Sequence, residues 1–268
     1  MKRLFNIASP ETIESKDQLL LCEISYYHIC LAAANAATRQ LIHLAYFENS
    51  QPIAAQDVKR LLDGEGIHPE RYQKVVVSSA FPEAILVPEA HFDRDVLKTQ
   101  WQHPDQDLVF FDRLEAQGIW VAYSMPSRVY HELNSRSPVE VINTHTTSLK
   151  THTEPVANSE ISVYFSSREF RVVVKKEEQL QLAQTYAFHS PLDVVYYLLM
   201  ITQQFQLSQT ETAVVLSGLI DENSALYKEI YQYFLKVQFA QPEAHLLPVN
   251  DYHQHFFSSI YNLAACVS

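Results

Sequence analysis

Twelve histidines in 268 residues raise the question of a metal site first. The densest group is His253 and His255, with His245 and Asp251 close by; His145 and His152 lie in an earlier polar stretch. An i, i+2 pair on a strand turns both rings to one face, which some zinc sites use. No HExxH occurs, however, and no cysteine is near except Cys266. Scattered surface histidines account better for the pattern, so no metal ligand is assigned. For a nucleophile, Ser217 precedes Gly218 at a strand end, but the leading glycine of a GxSxG elbow is missing. Cys30 with His28 or His43 is a neighbourhood on strands, not a triad. Asp193, Asp221 and Glu222 read as acids at helix starts, where they favour the helix dipole without doing chemistry. Neither a P-loop nor a GxGxxG is present. No catalytic residue is assigned.

Composition narrows the classes further. A formal charge of −11 repels phosphate backbones and makes nucleic acid a poor partner. In the one short basic run, Arg171, Lys175 and Lys176, two of the three residues end a predicted strand and are expected to face solvent. Cys22, Cys30 and Cys266 lack CxxC spacing, and small buried thiols in apolar strands point to a reducing compartment. The basic N-terminus has no apolar core long enough for a signal peptide. No segment approaches the roughly 20 apolar residues of a membrane helix. A cytoplasmic protein without membrane insertion is expected.

The elements that would position any site are easier to read. Residues 19–24, 27–32 and 40–47 form three consecutive strand patterns, and residues 161–165, 170–174 and 180–188 repeat the plan. Each trio leads into a helical segment and further strands: residues 54–62 then 74–79 in the first half, and 190–205 then 212–218 in the second. Ser190 followed by Pro191 suits a helix start. Strands are expected at 84–87, 107–111, 119–123 and 237–239. Helices are expected within 89–100 and over 126–134, 225–235 and 256–266. A polar segment, 143–155, is the expected crossover, with its first part left open as strand or helix. The first strands of the two trios, at Leu19 and Ile161, begin one ordinary domain's length apart. The expected fold class is α/β with two related domains, residues 1–150 and 151–268.

These residues carry a resemblance. A three-stranded meander followed by helix, strand, helix and strand, twice in one chain, resembles the actin-like ATPase superfamily, with duplicated ribonuclease H-like domains. Phe188-His189-Ser190-Pro191-Leu192-Asp193, Val214-Val215-Leu216-Ser217-Gly218 and His255-Phe256-Phe257-Ser258-Ser259 are similar to an uncharacterised bacterial family of that fold. That family has no assigned activity. In active members of the superfamily, two hairpin turns wrap the phosphates of ATP, usually with Asp and, two residues on, Gly; a strand ending in Gly-Gly receives the adenosine. At the matching positions this chain has Glu23 with Ser25, then Ser166 with Ser167, and a single Gly218.

Side chains in place of glycine deny phosphate access to the turn amides. The resemblance therefore implies a degenerate nucleotide site, with Glu23 a strand-end charge in solvent and Gly218 the start of a turn. The first expectation is a non-catalytic actin-like scaffold that binds protein through an interdomain cleft or an aromatic face. Residues 225–235 would show Tyr227 and Tyr231 on one such face. It needs no cofactor, and Glu23→Ala leaves its stability little changed. The alternative is a diverged ATP-dependent phosphotransferase or ATPase, with ATP and Mg²⁺ held by Glu23, Ser25, Ser166, Ser167 and Gly218.

Overall fold

The computed structural model describes residues 1–9, 14–101, 107–151, 157–241 and 252–267. These divide into two compact units. The first takes in Met1–Thr151 and, from the C-terminus, Ile260–Ser268; the second takes in His152–Glu243 and Val249–Ser259. The second unit thus stops short of the expected 151–268, because the chain's last helix returns to the first.

In the first unit, β2 (Gln18–Ile24), β3 (His28–Asn35) and β4 (Leu41–Glu48) form an antiparallel meander. Beside it, β5 (Lys74–Ser79) runs parallel to β2, and β9 (Val139–Asn143) parallel to β5. With β1 (Lys2–Ala8) at the edge beside β4, the sheet order is β1-β4-β3-β2-β5-β9. One face buries Cys22, Ile24, Ile29, Leu31 and Val77 against helices α1 (Ala55–Gly64) and α3 (Ser127–Arg136), through Val58, Leu62, Val129 and Leu133. A smaller antiparallel sheet orders β6 (Ala84–Pro88), β8 (Ile119–Pro126) and β7 (Asp107–Leu114). The short helix α2 (Arg94–Gln100) supplies Leu97 to the cluster on one face of it.

The second unit has sheet order β12-β11-β10-β13-β14. Antiparallel β10 (Ser159–Phe165), β11 (Glu169–Lys176) and β12 (Gln179–Ala187) are followed in the sheet by parallel β13 (Ala213–Gly218) and β14 (Lys236–Phe239). Alternate residues Ile161, Val163, Phe165, Val172 and Val174 pack against α5 (Pro191–Gln204) and α6 (Ala225–Tyr233). The period-2 valine pattern requires this: it gives the sheet one apolar face. At the head of α5, Ser190 Oγ accepts from Asp193 N and the Asp193 carboxylate accepts from Ser190 N, a reciprocal cap.

Two elements differ from the sequence reading, and a third takes one of the two forms that the sequence left open. The basic N-terminus forms strand β1 (Lys2–Ala8), an edge strand antiparallel to β4. A further strand, β9, follows α3. Residues 144–151 of the expected crossover form helix α4 (Thr144–Thr151), whose threonines and His145 are largely buried. Residues 152–155 lie outside the described residues. Helix α7 (Ser258–Cys266) ends against α4, where the Cys266 thiol donates to the Thr147 carbonyl at 3.7 Å. Among the described residues, no helix is long and apolar enough to cross a membrane.

Candidate functional site

The first hairpin tip joins β2 to β3 through Ser25, Tyr26 and Tyr27. Ser25 N donates to the His28 carbonyl at 3.0 Å, which closes the turn. Ser25 Oγ then accepts from the backbone amides of Tyr27 at 3.1 Å and His28 at 3.2 Å. With its lone pairs so engaged, the hydroxyl proton goes to His28 Nδ1, 2.7 Å away. The other ring nitrogen, Nε2, therefore carries hydrogen and donates to Glu23 Oε1 at 3.0 Å. Tyr46 stacks on the imidazole at 5.4 Å.

On paper this is a serine, a histidine and an acid in series. In space it is closed: Ser25 is 0% exposed, Glu23 1% and His28 3%. A serine oxygen held by two amides and shut away from solvent offers a substrate no approach. Nor are the flanking thiols reactive. Burial, with Glu23 adding to it, pushes Cys22 up to about 12 and raises Cys30 as well.

Glu23 was expected at a strand end in solvent. It lies instead inside the sheet, because β2 continues through it to Ile24 and its face is covered. The residue that sequence reasoning missed is His28. In the hairpin register Glu23 lies opposite Cys30, and His28 is two residues from Cys30 on the same face. Such a diagonal pair is within reach of long side chains. An acid and a histidine five apart across a three-residue turn is the signal that could have found it.

The second tip joins β10 to β11. Ser166 turns inward, with both its amide and its Oγ donating to the Glu169 carbonyl at 2.9 Å. Ser167 and Arg168 are exposed. Gly218 ends β13 with φ of +76°, and a Cβ there would sit 2.1 Å from the Phe165 carbonyl oxygen. Leu219 N donates to that same carbonyl at 2.8 Å. Gly218 is thus more than a turn starter: the chain crosses the backbone of Phe165 at the base of the second tip, where only hydrogen fits. Of the five candidate residues, Glu23 and Ser25 meet through His28, and Gly218 reaches the strand end that precedes Ser166. Ser167 contributes no side-chain contact to either arrangement.

Two further polar groups, Asp112 and His255, have structural partners. Asp112 on β7 accepts from Asn143 N at 2.7 Å, Thr146 Oγ1 at 2.7 Å and Tyr123 OH at 3.0 Å. Burial raises its pKa, against the pull of those three donors. The carboxylate anchors the first turn of α4 at the carboxyl end of β9. His255 is buried rather than on the surface. Its Nε2 donates to the Ile220 carbonyl at 2.8 Å and its ring stacks on Phe239. His145 is buried too. The surface reading of the histidines therefore fails for His28, His145 and His255, which sit where packing and hydrogen bonds hold them. His152, His245 and Asp251 lie outside the described residues. Among the described residues, no group of three or more His, Cys, Asp or Glu side chains is placed to hold a metal ion. The expected solvent-facing end of the basic run is also corrected: Lys175 is buried and Lys176 half-buried, while Arg171, inside the strand, is buried and donates to Ser259 Oγ at 2.7 Å.

The topology and its two hairpin tips define the class: the chain has the actin-like ATPase fold. A Bacteroides thetaiotaomicron protein with that fold and unknown function superposes with a TM-score of 0.77 at 16% identity, covering 94% of this chain and 97% of that one. The type IV pilus biogenesis complex PilM–PilN gives 0.59 at 12% identity, covering 93% of this chain and 98% of that one. The ethanolamine utilization protein EutJ from Carboxydothermus hydrogenoformans gives 0.52 at 8%, covering 96% and 92%. At these identities the likeness is one of fold alone. No protein of curated function matches the chain. The chain belongs to the family described as "Protein of unknown function (DUF3822)", whose profile matches residues 9–237.

Proposed function

We propose that this is a non-catalytic protein of the actin-like fold, built from two duplicated ribonuclease H-like domains and acting through protein contacts. The carrying observation is that Ser25 Oγ occupies the Tyr27 and His28 amides. A phosphate cradle needs such amides open and aimed outward, and it tolerates little side-chain bulk. Here the Ser25–His28–Glu23 series fills the tip from within, and Gly218 is used up in crossing Phe165. The duplication is supported by the shared strand order of the two sheets, an antiparallel meander flanked by two parallel strands. A protein-binding role is supported by analogy of fold with the PilM–PilN complex. The reading includes neither ATP nor Mg²⁺, and the unpaired Cys22 and Cys30 suit a cytoplasmic setting.

The test is a thermal melt and a calorimetric titration of the purified protein with Mg-ATP. No heat and no shift are expected at millimolar nucleotide. A ligand at a hundred times its dissociation constant stabilises by about 2.7 kcal/mol. A melting point that climbs with Mg-ATP in this way would overturn the reading.

A further inference from the structure

Helix α5 buries one side and leaves a second apolar stripe outside. Val194, Val195, Leu198 and Ile201 face the core of the second unit. Leu192, Tyr196 and Met200, each four residues from the next, are 60%, 60% and 46% exposed. Spacing by four makes them one i±4n ridge, the ridge type that interlocks with its like in the commonest helix–helix packing, near −50°. The ridge extends about 12 Å, with Tyr196 at its middle.

We propose that this ridge is a self-association surface, and that its occupant is the same ridge on a second copy of the chain. Two observations favour a copy over an unrelated partner. The first is charge. The chain carries −11 overall, so a contact between two copies is opposed wherever acids face acids. Helix α5 holds one acidic residue in fourteen, Asp193, and no basic one, and the Asp193 carboxylate is engaged by the amides of His189 and Ser190. The ridge is therefore surface on which two acidic molecules meet without like charges in contact. The second is symmetry. A two-fold interface needs a patch that complements itself. A ridge centred on Tyr196, with apolar residues of similar length four positions to either side, does so: Tyr196 meets Tyr196, and Leu192 meets Met200 of the copy. This inference does not depend on the state of the nucleotide site.

Sedimentation velocity of the full chain from about 1 to 100 µM tests it. The sedimenting mass should rise from 30.8 kDa towards twice that value. Tyr196→Lys, which places two cations at the axis, should hold the protein at the monomer mass while its circular dichroism and melting point stay as in the parent. Tyr196→Cys under mild oxidation should give a disulfide-linked dimer that Lys228→Cys on α6 does not. A monomer at the highest concentration, or a dimer that Tyr196→Lys leaves intact, overturns the proposal. So does a monomer that takes an unrelated apolar peptide on the same ridge.

Discussion

Glu23 and His28 share a buried hydrogen bond, Oε1 to Nε2 at 3.0 Å, across the tip of the first hairpin. Together with Ser25 it sets the shape of that turn. Removing either partner leaves the other polar group shut away from water. Stranding the neutral Nε2–H of His28 in this way costs about 1–3 kcal/mol. The sequence alone suggested that Glu23→Ala would be mild; with the side chain 1% exposed, the expectation reverses. Glu23→Ala should lower the melting point by roughly 5 °C. Glu23→Gln, which keeps an acceptor for Nε2–H, should lose much less. Equal melting points for Glu23→Ala and the parent, by calorimetry, would contradict the pairing.

Gly218 and Gly66 separate two reasons for glycine. Both have positive φ, +76° and +65°. Around Gly66 nothing lies within 4 Å of an added Cβ, whereas at Gly218 the Phe165 backbone is inside contact distance. Gly66→Ala should therefore cost only the left-handed penalty, about 1–2 kcal/mol. Gly218→Ala must also push two strand ends apart, and it should be several kcal/mol less stable or fail to accumulate as soluble protein. Denaturant titration of the two variants side by side reads the difference. Equal losses would mean that the second tip yields freely.

Much of the fold was legible because the meanders are written in runs such as Ile161-Ser162-Val163-Tyr164-Phe165, which alternates apolar and polar residues, and Val172-Val173-Val174, a continuous β-branched stretch. The N-terminal strand was hidden because β1 is an edge strand whose residues are largely exposed or half-buried, so it lacks that contrast. Helix α4 was left undecided between strand and helix for a different reason. Its Thr-His-Thr-Thr-Ser run has neither apolar period nor strong propensity, and tertiary burial and the Asp112 carboxylate stabilise it. The return of the chain to the first unit at Ile260 is a long-range event that no local pattern encodes. At the candidate site, the turn positions of Glu23, Ser25 and Gly218 could be read from spacing. What they touch could not, because the partnership with His28 depends on hairpin register, and that of Gly218 on two strands some fifty residues apart in the chain.

Asp112 offers a cleaner test of a buried acceptor. Its carboxylate receives Asn143 N, Thr146 Oγ1 and Tyr123 OH, which tie β7, β8 and the start of α4 together. Asp112→Ala strands three donors, and each unsatisfied buried group costs about 1–3 kcal/mol. A loss of about 3 kcal/mol is expected, with amide exchange in α4 accelerated more than in α1. Protection of α4 that stays unchanged would show that the helix does not rely on this carboxylate.

Acid should destabilise the protein in a window set by histidine. Burial lowers the pKa of His255, with its neighbour His253 acting the same way, while the Ile220 carbonyl and Asp221 pull it up. Burial also lowers that of His43, and Arg3 adds to this against the pull of Glu65. Both rings are thus neutral in the fold at a pH where the unfolded chain, titrating near 6.5, begins to take up protons. Above about pH 6.5 neither state binds a proton and these groups contribute no slope. Below it the unfolded state binds more, so stability falls with decreasing pH, by up to about 1.4 kcal/mol per unit per histidine, until the folded rings are protonated as well. Asp193 acts in a lower window. The amides of His189 and Ser190 hold its carboxyl below the usual range, so the stability it provides is lost only as the pH falls below about 4. His255→Gln retains a donor for the Ile220 carbonyl but cannot titrate. Its melting point should lie close to the parent's at pH 7.5 and above it at pH 5, and parallel melting curves across that interval would rule out His255 as a source of the slope.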